Sequence, residues 1–162
     1  MRDGRRRRGG RICAAWLALL AAGCASAPPA ERGLALTVTD MTRGRVLARE
    51  PVEAGALVDL AYVHSTEGRP VRATFRVEAD GMLRLVQTAF PSVGPGLPAL
   101  GPDGSWTIQD GVIRVQGSGD PMSELRLRVV PLTRHQLILP SGRALDLGAL
   151  VGAGDAVRVA VE

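Results

Sequence analysis

From Gly33 to Glu162 the chain alternates apolar and polar residues in short runs broken by two-residue turns, and no segment keeps a helical period over any length. In residues 71–78, Val71, Ala73, Phe75 and Val77 share one face while Arg72, Thr74, Arg76 and Glu78 share the other. That is the period-two signature of a half-buried antiparallel strand. Asp80-Gly81 joins this run to residues 82–86, and Asp-Gly suits a type I′ turn, in which both central residues take positive φ. The same pattern recurs around Asp110-Gly111, between residues 106–109 and 112–115, and around Ser141-Gly142, between residues 137–139 and 143–145. Residues 34–38, 45–48, 57–64, 124–129 and 156–161 read as further strands, the first two joined through Met41-Thr42-Arg43-Gly44.

About ten short strands in one unit predict an all-β domain, an antiparallel β-sandwich of Ig-like type, with a partly closed barrel as the alternative. The one helical candidate is a turn around residues 147–150. Phe75, Leu83, Leu85, Leu127, Val129, Leu145, Val157 and Val159 are expected in the core.

The formal charge of +4 suggests a basic protein, but its distribution removes that reading. Six arginines stand against one aspartate before Cys24, whereas the remaining 14 arginines face 15 acids and leave −1. The excess positive charge lies in a segment expected to be removed, so nucleic acid is not expected as a partner. The arginine cluster precedes residues 12–23 (ICAAWLALLAAG), an apolar stretch too short for the roughly 20 residues a transmembrane helix needs. A charged start, a short apolar stretch and small residues at its exit make residues 1–23 an export signal. Leu20-Ala21-Ala22-Gly23-Cys24 resembles a lipobox, which implies lipidation of Cys24. An ordinary signal cleaved near Ala25-Ser26-Ala27, or an uncleaved anchor, is the alternative. Residues 24–32, with Pro28 and Pro29, then read as a tether and residues 33–162 as one domain. With Cys13 in the signal and Cys24 acylated, that domain has no thiol for a disulfide and must rest on its core.

No motif commits the domain to chemistry. G-x-S-x-G is absent, and Ser65, although beside His64, would point to the opposite face of a strand. His64 and Glu67 lie three apart, but H-x-x-E has no fixed geometry outside a helix, and His135 is the only other histidine. No catalytic residue, metal or cofactor is therefore assigned. A hydrolase or metal-dependent enzyme using His64 and Glu67 would require a concave pocket with His64 inside it. Two segments nonetheless depart from regular alternation. Residues 62–71 gather Tyr62, His64, Ser65, Glu67 and Pro70 at a strand end. Residues 90–98 carry Gly94, Gly96, Leu97 and Pro98 among further prolines, which forbid continued ladder pairing. Loops on a regular scaffold are where binding function usually sits, and the two segments are expected to lie side by side.

These residues resemble a bacterial family, domain of unknown function 1850, with a Y-x-H-S-x-E-x-x-P-V segment (Tyr62, His64, Ser65, Glu67, Pro70 and Val71) and a later G-x-G-L-P (Gly94, Gly96, Leu97 and Pro98). The likeness extends from Leu34 onward. It departs after the Pro-Val, where the family picture has acids and this chain has Arg72-Ala73-Thr74, and at Pro95, which replaces a small residue. The resemblance implies a companion of tripartite ATP-independent periplasmic (TRAP) transporters that use TAXI-class solute receptors, and so supplies a partner rather than a mechanism. The resulting expectation is a non-enzymatic binding module in the cell envelope. It would be anchored to the membrane by its lipid, would face the periplasm, and would contact a TRAP permease or its solute receptor. A purely structural envelope lipoprotein is the alternative. Ala25 after Cys24 is compatible with sorting to the outer membrane, and the choice of membrane stays open.

Overall fold

The computed structural model describes residues 33–94, 105–117 and 119–162. Residues 1–32, where an export signal, the lipidated Cys24 and a tether are expected, lie outside the described residues, as do Gly96, Leu97 and Pro98. Eleven strands form among the described residues: β1 (Ala35–Asp40), β2 (Arg45–Pro51), β3 (Leu57–Val63), β4 (Pro70–Val77), β5 (Leu83–Phe90), β6 (Trp106–Gln109), β7 (Val112–Gln116), β8 (Glu124–Arg128), β9 (Gln136–Ile138), β10 (Ala144–Asp146) and β11 (Ala156–Val161). A 3₁₀ turn, Pro131–Thr133, precedes β9, and a single helical turn, α1 (Leu147–Leu150), follows β10 with Asp146 as its N-cap.

The strands make two antiparallel sheets, one of four in the order β2-β1-β11-β8 and one of seven in the order β10-β9-β3-β4-β5-β7-β6. Neither closes on itself, so the fold is an open sandwich and not a barrel. The expected alternation holds in β4, where Val71, Ala73, Phe75 and Val77 are buried while Arg72 and Arg76 are exposed. Of those inward residues, Ala73, Phe75 and Val77 meet Leu36, Val38, Val157 and Val159 from the small sheet in one main cluster. A second, smaller cluster of Val71, Phe90, Ile113 and Val115 lies on the same face further along the large sheet, with Trp106 packed on it. Tyr62 is half-buried and packs against both.

The structure corrects three sequence expectations. At Asp110-Gly111 both residues have positive φ (52° and 73°), as a type I′ turn demands. At Asp80-Gly81 and at Ser141-Gly142 only the glycine does (80° and 85°): the Gly81 N–H donates to the Glu78 carbonyl at 3.0 Å and the Gly142 N–H to the Leu139 carbonyl at 2.8 Å, so the turns close around Ala79-Asp80 and Pro140-Ser141 with the glycine as the left-handed residue after each. Asp80 instead accepts the Met82 N–H on its side chain at 3.0 Å. Leu85 and Leu127 are half-buried rather than buried. Leu127 lies on β8, an edge strand, and Leu85 precedes the point at Gln87 where β5 begins to pair with β7, so each lacks a strand on one side. Finally, β3 ends at Val63, one residue before His64.

Phe75 is 5% exposed and opposite Leu85. Phe75→Ala should lower the unfolding free energy by about 3–5 kcal/mol, measured by urea denaturation with an unchanged m-value. A loss under about 1 kcal/mol would place Phe75 outside the core.

Candidate functional site

Beyond Val63 the chain turns sharply back into β4. The His64 N–H donates to the Arg69 carbonyl at 2.8 Å, the Gly68 N–H donates to the His64 carbonyl at 2.9 Å, and Gly68 takes φ +64°. Pro70, which has no N–H to give, opens β4 opposite Val63. Inside this loop the His64 Nδ1 accepts the Glu67 N–H at 3.3 Å, so one imidazole nitrogen serves the loop's own backbone. Ser65 and Thr66 are exposed at the tip, whereas Glu67 is half-buried.

What covers Glu67 comes from the second predicted segment. A Cβ built at Gly94 would lie 2.9 Å from Glu67 Cγ and 3.0 Å from its Cδ and Oε1. The glycine is needed here for close approach and not for its φ, and any side chain at this position would displace the carboxylate. The structure thus brings Tyr62, His64, Glu67, Pro70 and Gly94 into one region, while Gly96, Leu97 and Pro98 lie outside the described residues.

A third segment, not assigned to the site from sequence, joins them. In the β3–β9 register Ala61 faces Gln136, which sets His135 beside Tyr62, with ring centroids 5.8 Å apart and planes tilted by 35°. The Thr133 hydroxyl donates to the Val130 carbonyl at 2.9 Å, so its oxygen accepts from His135 Nδ1, also at 2.9 Å. That pairing makes Nδ1 the protonated nitrogen and fixes the ring's tautomer. Burial lowers the His135 pKa and raises that of Tyr62, so both rings are held neutral. Between the 3₁₀ turn and His135, Arg134 adopts a left-handed conformation (φ 46°), a strained one for a non-glycine residue. Leu132 is 66% exposed, the most of any large apolar side chain among the described residues.

An open hollow of about 640 Å³ is lined by Val63, Gly68, Pro131, Leu132 and Arg134. A neighbouring one of about 500 Å³ shares Pro131 and Arg134 and runs on past Val129, Val130, Asp146 and Val151 toward α1. Arg134 stands between the two. His64 lines neither, and among the described residues no group of three His, Cys, Asp or Glu side chains could hold a metal ion. The arrangement is a shallow, partly apolar surface around a tight hairpin loop.

A family model described as Domain of unknown function (DUF1850) matches residues 58–147. The chain belongs to this family. No curated protein and no solved structure matches it. The DUF1850 span contains the hairpin loop, Gly94, the 3₁₀ turn and His135, together with nearly all of the seven-stranded sheet. Strands β1, β2 and β11, three of the four in the smaller sheet, fall outside it.

Protonation of His135 must overcome its burial, so the folded state binds that proton less readily than the unfolded chain, whose histidine titrates near 6.5. Its contribution to stability is therefore complete above the unfolded value and lost as pH falls below it. Thermal melting of the protein should drop between about pH 7.5 and about pH 5.5, a window above the carboxylate range, and His135→Gln should flatten that drop. An identical pH dependence in wild type and variant would contradict the tautomer and burial described.

Proposed function

We propose that this DUF1850 protein is a lipid-anchored, non-enzymatic binding module that faces the periplasm and assists a TRAP-type solute uptake system by contacting its permease or solute receptor. The contact surface is the hairpin loop with the surface around it. One observation carries this reading: Leu132, 66% exposed, lines the hollow beside Gly68, and Val93, 57% exposed, precedes the glycine packed on Glu67. Exposed apolar side chains beside a loop held by its own hydrogen bonds provide a preshaped surface, on which little ordering entropy is lost when a partner docks.

The positions of the polar groups support contact over chemistry. The His64 Nδ1 is spent on the loop backbone and His135 is held by Thr133. The lipobox at Cys24 supports the anchor, and the family resemblance supports the partner. Lipidation would place the domain at a membrane surface, where several acyl chains hold far more firmly than one.

Replacing Leu132 by Asp and Glu67 by Ala in the native host should leave protein level and melting nearly unchanged, since Leu132 is exposed and Glu67, though half-buried beside Gly94, lies outside both apolar clusters, and substitutions away from the core usually shift stability by no more than about 0.5 kcal/mol. Solute uptake, or copurification with the permease, should fall sharply. Cys24→Ser should release the protein from the membrane with the domain still folded. Wild-type uptake and copurification in the Leu132→Asp, Glu67→Ala double variant would overturn the proposal.

A further inference from the structure

The outer face of the seven-stranded sheet, away from the core, carries a feature that the contact surface does not use. In the β4–β5 register Arg72 faces Ala89, and in the β5–β7 register Ala89 faces Arg114. Two arginines therefore flank one alanine across three adjacent strands, with backbones about 10 Å apart. The small side chain between them leaves an open hollow of about 400 Å³, whose lining includes Asp59, Thr74, Gln87 and Gln116 as well as both arginines.

The two guanidinium groups differ in their pairing. Arg72 donates to Asp59 Oδ2 at 2.6 Å, and the other oxygen of Asp59 accepts from the Thr74 hydroxyl at 2.5 Å. Arg114 also lines the hollow, and its Nη1 has no hydrogen-bond partner among the described residues; because that atom is shielded from solvent, a ligand meets it only as the guanidinium turns toward the hollow. A buried donor on a charged group left without an acceptor is costly, and native structures seldom leave one without a use. Two arginines against the single Asp59 leave the hollow with a net charge of +1, which one negative charge balances. A planar carboxylate matches the guanidinium fork, and the floor of Val86 and Ala89 accepts a short apolar body behind it.

We infer that the hollow between Arg72 and Arg114 is a binding site for a small organic monocarboxylate, held by the Arg114 guanidinium and positioned by the Arg72–Asp59 pair. Its volume lies in the range of small-ligand pockets and is too small for a folded partner. A multiply charged phosphate would exceed the available positive charge.

Calorimetric titration of the full-length protein at fixed ionic strength tests this with sodium butyrate, inorganic phosphate, butylamine hydrochloride and a glutamate-containing peptide as probes. Butyrate should bind saturably, and phosphate and butylamine should not. Arg114→Gln should weaken butyrate binding roughly tenfold to a hundredfold, as loss of a charged hydrogen bond does. Arg114→Lys, which keeps the charge but not the fork, and Arg72→Gln, at an exposed position, should also weaken it with melting preserved. These two variants keep the test valid if Arg114→Gln does not fold. The inference is overturned if butyrate does not saturate the wild type, if Arg114→Lys and Arg72→Gln both bind it with wild-type affinity, if phosphate binds as well, or if only the peptide binds.

Discussion

The seven-stranded sheet is wider than the four-stranded sheet that covers it, and the organisation of the molecule follows from that mismatch. The main cluster closes between β1, β2 and β11 on one side and β3, β4, β9 and the start of β5 on the other. Past that cover the same face continues as a separate cluster of Val71, Phe90, Ile113 and Val115, with Trp106 laid over it. With no cysteine among residues 33–162, burial of these side chains has to offset the chain entropy of the whole domain. Tyr62 joins the two clusters, so the loop that follows it is set at the boundary between the covered and uncovered parts of the sheet.

That position shapes the candidate site. The hairpin loop is closed by its own backbone and by His64 Nδ1, and it is fixed from two other directions. Gly94, just beyond the end of β5, presses on Glu67, and the β9 pairing sets His135 and the 3₁₀ turn beside Tyr62. Three segments distant in sequence thus meet at one end of β3. The same sheet offers a different chemistry on its other face, where alternation places Arg72, Thr74 and Arg114 outward because Val71, Ala73, Ile113 and Val115 point in. One strand pattern serves both surfaces.

The period-two runs make most of this legible in the sequence. Val71 to Val77 alternates because one face is buried and one is wet, and Trp106–Gln109, Leu147–Leu150 and Ala156–Val161 fall where pattern and turn chemistry place them. The turn at Asp80-Gly81 differed because the dipeptide permits a type I′ turn without imposing one, and side-chain capping by Asp80 favours the alternative. Leu85 and Leu127 differed because alternation reports which face a residue occupies and not whether a neighbouring strand covers it. Within the site, Tyr62, His64, Glu67 and Gly94 stood out as departures from regular alternation. Leu132 and Arg134 carried no such signal. Their place depends on the pairing of β3 with β9 across more than seventy residues of chain, which no local pattern encodes.

The proposed contact between the surface around the His64–Gly68 loop and a protein of the uptake system can be measured directly by site-specific photo-cross-linking in the native host. A benzoylphenylalanine at position 132 samples that surface, and one at position 46, where Val46 is 56% exposed on the edge strand β2, samples a different sheet. A discrete product joining position 132 to a TRAP permease or its solute receptor is expected, and no such product from position 46. The same product from both positions, or none from position 132 with the protein folded at the membrane, would contradict the proposed contact.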